Sequence, residues 1–162
     1  MGSACTMICP KCGYEFKKSE GVGFMFPKVY QETVHEAKNG ELGEEIQQFF
    51  SEHPDGAINV DVTTLICDEC GGLSSRRDLT MYVLKGEDRP DNNIHVWSVA
   101  APFEGEDYVM SEDLKKYYRV YMKYPHKCKT CGGNMHIAGN KEKLMCPDCK
   151  IPLEIGGFMC WD

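Results

Sequence analysis

Between Pro27 and Asn39, Tyr30, Val34 and Ala37 recur at the spacing that places them on one helical face, and Asn39-Gly40 supplies a stop. A second helix is expected from about 41 to 53, with Leu42, Ile46, Phe49 and Phe50 on one stripe and Pro54 ending it. The short join between them predicts an antiparallel helical hairpin. Beyond it, Ile58, Val60, Val62, Thr64 and Ile66 alternate with Asn59, Asp61 and Thr63, the period of a half-buried strand. Leu79 to Lys85 reads as its hairpin partner. The polar run Gly86 to Asn93 reads as a linker, and Ile94 to Ala101, with Trp97, as a strand. Residues 111–124 fit two periods. Ser111-Glu112-Asp113 is a helix-start signal, while Tyr118, Val120, Met122 and Tyr124 alternate with Arg119, Tyr121 and Lys123. A short helix giving way to a strand that leads into Cys128 reconciles them.

Eight of the ten cysteines form four Cys-x-x-Cys pairs: Cys9/Cys12, Cys67/Cys70, Cys128/Cys131 and Cys146/Cys149. Two intervening residues let a tight turn aim both sulfurs at one ion about 2.3 Å away. The residue after the second cysteine often needs positive φ, and glycine stands there three times, as Gly13, Gly71 and Gly132. Lys150 takes that place in the fourth pair, which predicts a strained or differently shaped turn.

Disulfides need an oxidising compartment, and loops this small make poor crosslinks. A thioredoxin-like redox site needs a single pair opening a helix in a βαβ setting, which none of the four has. Tetrahedral four-thiolate zinc satisfies every pair at once, with iron the competitor at the same ligands. The interval between Cys131 and Cys146 is 14 residues, against 54 between Cys12 and Cys67 and 57 between Cys70 and Cys128. Loop closure favours the short interval by only about 1 kcal/mol. Pairing the middle two turns, however, forces the outermost two together across the whole chain. Sequential pairing is therefore the expectation: Cys9, Cys12, Cys67 and Cys70 at site one, and Cys128, Cys131, Cys146 and Cys149 at site two.

The runs Lys127-Cys-Lys-Thr-Cys-Gly-Gly-Asn-Met, Leu144-Met-Cys-Pro-Asp-Cys-Lys, Ile8-Cys-Pro-Lys-Cys-Gly-Tyr and Ile66-Cys-Asp-Glu-Cys-Gly-Gly resemble the turns of the zinc-ribbon (rubredoxin-like) family. In that family two such turns at hairpin tips hold one structural metal. The resemblance implies tandem ribbons carrying two Zn²⁺, or iron in a rubredoxin-like electron carrier, and implies no particular function.

Net charge is −7, unevenly placed: residues 1–114 hold nine basic and 21 acidic side chains, residues 115–150 nine basic and two acidic. Lys115, Tyr117, Arg119, Tyr121, Lys123, Lys127 and Lys129 interleave cations with rings, as a single-strand nucleic-acid surface requires. In the plainer reading the tyrosines pack on the ribbon core and the lysines form its solvated face. No apolar run is long enough to span a bilayer.

His35 and His53 read as surface or capping residues. His126 and His136 flank cysteines, but four thiolates already complete a tetrahedron, and a closed site leaves no position for a substrate. Cys5 and Cys160 read as free thiols, and residues 1–6 as an appendage to a native start at Met7. The expectation is thus a small α+β protein of two zinc ribbons, each with four cysteine ligands, the first with an inserted helical hairpin. Its divisions are 1–85, a linker and strand over 86–110, and a basic ribbon over 111–162. Functionally it reads as a cytoplasmic, bacterial, non-enzymatic scaffold for a macromolecule. A protein is the first expected partner and nucleic acid, through 115–150, the second; no membrane and no small-molecule substrate is expected.

Overall fold

The structure, a computed structural model, describes residues 2–86 and 108–161. Most of the expected linker and the whole expected strand at 94–101 lie outside the described residues. The fold is α+β, with three α-helices and three antiparallel sheets among the described residues.

The chain divides into two compact units that interleave along the sequence, not into the sequential halves expected at 85 and 111. One, the metal unit, comprises Met1–Phe24, Asp61–Asp78 and Pro125–Asp162; the other, the insertion unit, comprises Met25–Val60 and Leu79–Tyr124.

In the metal unit, β1 (Gly2–Ile8) lies between β2 (Glu15–Glu20) and β9 (Glu154–Trp161). Residues 2–6, expected to be an appendage, are thus the body of a central strand. A second sheet places β4 (Val62–Cys67) between β5 (Leu73–Arg77) and β8 (Met135–Ile137). The later part of the strand expected over 58–66 is therefore partnered by the polar Leu73–Arg77, while Leu79–Lys85 partners its start, with Ile58 opposite Met81. Turn geometry explains the difference: Cys67-x-x-Cys70-Gly71 reverses the chain at once, so the residues immediately beyond it pair, with Ile66 opposite Leu73 and Val62 opposite Arg77.

Hydrogen bonds inside the metal unit join the residues that flank both insertions. Gly21 N–H donates to Val62 O (2.9 Å), and Asp78 N–H to Asp61 O (2.9 Å). The buried His126 ring donates from Nε2 to Asp78 O at 2.8 Å, joining the residues just outside Leu79 and Tyr124.

The insertion unit holds the helical hairpin. Helix α1 (Phe26–Lys38) has proline near its start, and α2 (Glu44–Glu52) begins after Gly43, whose φ of 106° no helix continues. The second helix is thus shorter than expected, leaving Leu42 in the connection. Gln47 ties the hairpin by donating from Nε2 to Lys38 O at 3.0 Å. The sheet of this unit orders β3 (Ala57–Ile58), β6 (Met81–Leu84) and β7 (Tyr118–Met122), the last fed directly by α3 (Ser111–Tyr117). The helix-to-strand switch expected over 111–124 is present. The single strand expected over 58–66 is two, since the chain passes between units at Val60 and Asp61.

Candidate metal centre

Four turns repeat one backbone design. The residue after each second cysteine donates its N–H to the first cysteine's carbonyl: Gly13 to Cys9 (2.9 Å), Gly71 to Cys67 (3.0 Å), Gly132 to Cys128 (2.9 Å) and Lys150 to Cys146 (3.0 Å). Each first cysteine's N–H then donates back across the turn, to Tyr14, Gly72, Gly133 and Ile151, at 2.8–2.9 Å. Positive φ follows at Gly13 (73°), Gly71 (75°), Gly132 (77°) and Lys150 (58°). The fourth turn has the same shape as the others, with a lysine forced into the left-handed region.

The eight cysteines gather as two quartets: an outer one of Cys9, Cys12, Cys146 and Cys149, and an inner one of Cys67, Cys70, Cys128 and Cys131. The expected ligands are all present, but the sequential grouping is overturned and the nested one holds. Sheet pairing explains this. Strand β1 runs antiparallel to β9 from Gly2 opposite Trp161 to Ile8 opposite Glu154, which carries the first turn to the fourth. Strand β4 pairs β8, with Cys67 opposite Met135, carrying the second turn to the third. Loop closure, worth about 1–2 kcal/mol, is outweighed by a ladder of backbone hydrogen bonds. The signal in the sequence for this pairing is the segment 154–161, whose Ile155, Phe158 and Trp161 are strand formers.

Within each quartet all four sulfurs lie within 4.8 Å of one another. Cys12 and Cys146 Sγ are 3.6 Å apart, Cys67 and Cys131 3.4 Å, and Cys70 and Cys128 3.7 Å. A tetrahedral ion with bonds of about 2.3 Å sets its ligand edges at about 3.8 Å, so both quartets fit a metal ion. The first cysteine of each turn is buried, and N–H groups point at the sulfurs: Cys149 to Cys146 Sγ at 3.4 Å, Cys70 to Cys67 Sγ at 3.5 Å and Gly72 to Cys70 Sγ at 3.4 Å.

These donors divide the thiols by acidity. The N–H groups of Cys131 and Thr130 draw Cys128 down to about 6. Burial pushes Cys9 up, but the N–H groups of Cys12 and Lys11 and the neighbouring sulfurs outweigh it and bring it to about 7. The Tyr14 N–H draws Cys12 down and the Gly133 N–H does the same for Cys131, yet adjacent sulfurs outweigh both and push them to about 12. Four thiolates at contact distance repel one another; a divalent cation held by them would remove that penalty and keep all four ionised.

The remaining candidates separate. Of the seven expected nucleic-acid contacts, Lys115, Tyr117, Arg119, Tyr121 and Lys123 belong to the insertion unit, and Lys127 and Lys129 to the metal unit. The first five are therefore not part of the unit that carries the cysteine turns. Tyr121 packs on Phe49 and His53, with ring centroids 5.2 and 4.9 Å away, and Lys127 Nζ donates to Asn134 Oδ1 at 2.6 Å. His35 meets the Asn39 side-chain amide at 3.1 Å on the exposed surface of the helix end. His136 lies between Asp68 (2.6 Å) and Glu142 (3.0 Å), whose carboxylates raise its pKa. Cys5 and Cys160 are free. Their strands do pair, with Cys160 opposite Ser3 and Cys5 opposite Phe158.

By charge the metal unit is balanced, with ten basic and ten acidic side chains, while the insertion unit has eight and fifteen and so carries the whole net −7. No helix among the described residues is long and apolar enough to cross a membrane. No protein-family model, no curated protein and no solved structure matches the chain.

Proposed function

We propose that the protein is a non-enzymatic scaffold of zinc-ribbon type, held by two Zn²⁺ ions, which binds a protein partner through the edge of its outer sheet. Two quartets of four thiolates support zinc, and a closed tetrahedron offers no site for a reacting ligand. Iron at the same ligands gives a coloured protein that bleaches on reduction; metal analysis of the untagged chain, with two zinc equivalents expected, separates the readings.

The observation that carries the binding role is the contrast between the two edges of one sheet. Strand β2 carries Glu15, Lys17, Lys18 and Glu20, charges of the kind that protect an edge. Strand β9 has no charge from Ile155 to Trp161, and Ile155, Phe158 and Met159 are 69%, 68% and 67% exposed. A nucleic acid needs cations, which this edge lacks. The occupant it suits is an extended, apolar segment of another protein, added as a fourth strand against β9.

The test selects displayed peptides on the metal-loaded full chain. Enrichment of alternating apolar sequences, protection of the β9 amides from exchange on binding, and loss of binding in Phe158→Lys support the reading. Protection elsewhere, or concentration-dependent self-association through β9 that excludes the peptides, overturns it.

A further inference from the structure

The fourth turn is the only one of the four without glycine at its left-handed position, and its replacement is a lysine. No feature of the outer quartet requires that side chain. Glycine closes the same hydrogen bond in the other three turns without strain. The side chain instead reaches the other quartet: Lys150 Nζ donates to the carbonyl of Cys70 at 3.0 Å. Gly71, beside that carbonyl, has no side chain, and a Cβ there would stand 3.3 Å from the ammonium. One residue therefore closes an outer turn with its backbone and caps an inner turn with its charge.

We infer that Lys150 couples the two metal quartets, so that filling one favours filling the other. This rests on the two-ion reading above. A filled outer quartet fixes the Cys146–Lys150 turn, and with it the left-handed backbone that aims the ammonium at Cys70. There the cation sits beside a quartet that becomes doubly negative when four thiolates hold one divalent ion. A cation held 3.0 Å from the Cys70 carbonyl attracts that charge and so favours the filled quartet over the empty one. By linkage the inner ion returns the same factor to the outer. The strain at Lys150 is then the cost of a connection that glycine could not make.

The experiment strips Zn²⁺ from the full chain with increasing chelator. Released metal gives the stoichiometry, and the amide signals of Gly13 and Gly132 report the outer and inner quartets separately. Two equivalents from the unmodified chain establish the two-ion reading independently of the coupling. In that chain both signals are expected to change over one range of chelator. Lys150→Met keeps the left-handed side chain without its charge. It is expected to split the release, with Gly132 reporting loss at about fivefold lower chelator than Gly13. Lys150→Gly is expected to split it further, since the outer turn is also relieved of strain. The inference is overturned if Lys150→Met releases both ions over one range as steeply as the unmodified chain does, whether at the unmodified position or at lower chelator, the latter marking a general stabiliser only.

Discussion

The insertion unit buries Phe26, Tyr30, Ile46, Phe49, Phe50, Ile58, Val60, Met81, Leu114 and Tyr118, a conventional interior of large apolar side chains. The metal unit buries Ala4, Phe16, Leu65, Leu144 and Leu153, and beside them Cys9, Cys67, Cys128 and Cys146. Around the outer quartet the fully buried cluster is Phe16, Leu144 and Leu153 with two of the cysteines, with half-buried side chains such as Met7, Tyr14, Ile66 and Leu73 packed against it. Short strands with so few fully buried side chains offset their own chain entropy poorly, and ions held by the two quartets would supply what burial does not. On the proposed reading, the same chain holds one unit by hydrophobic packing and the other by metal crosslinks.

Metal removal is the strongest way to break that contrast. Binding of a structural zinc is worth about 10 kcal/mol or more in apparent terms, so chelation is expected to unfold the metal unit. Amide protection at Cys9, Cys67, Cys128 and Cys146 should vanish while that of α1 and α2 persists, as read by hydrogen exchange with metal analysis. Equal loss in both units would show that the insertion unit depends on metal too.

The converse experiment cuts the apolar interior. Phe49 is 2% exposed and packs on Phe50 (5.1 Å) and His53 (5.3 Å). Phe49→Ala is expected to cost about 3–5 kcal/mol in urea unfolding of the helical signal. Bound metal should stay at two equivalents; a fall would merge the two modes of stabilisation.

A smaller effect sharpens the metal side alone. At Gly132, φ is 77° and nothing lies within 4 Å of an added Cβ, so Gly132→Ala tests backbone strain without a clash. The expected cost is about 1 kcal/mol, read as roughly fivefold easier release of the inner ion to chelator. The smallest effect is electrostatic. His136, facing Asp68 and Glu142, has a raised pKa, so its contribution is fully present below about pH 6.5 and is lost as pH rises through the folded value. Because the ring is exposed, the contribution is only fractions of a kcal/mol. His136→Gln is expected to flatten that small decline in stability, measured as urea midpoints across the range.

The local units were legible in the amino-acid order alone. The helical hairpin was legible in the spacing of Tyr30, Ala37, Ile46 and Phe49, because amphipathic periodicity reports burial within a single element. So were the four turns, the eight ligands and the switch from helix to strand after Ser111, since each depends on residues within a few positions of one another. Tertiary structure decided which turns meet. That choice rests on β1 finding β9 and β4 finding β8, and strand pairing between segments so far apart in the chain leaves no periodic trace in either strand. The strand expected over 58–66 shows the same limit: its alternation was real, but a change of unit at Val60 and Asp61 is a fact of long-range contact. Lys150 shows it most sharply. From sequence it was an exception to a glycine rule, and only the fold, by bringing the Cys70 carbonyl within 3.0 Å of its ammonium, gave the exception a physical cause.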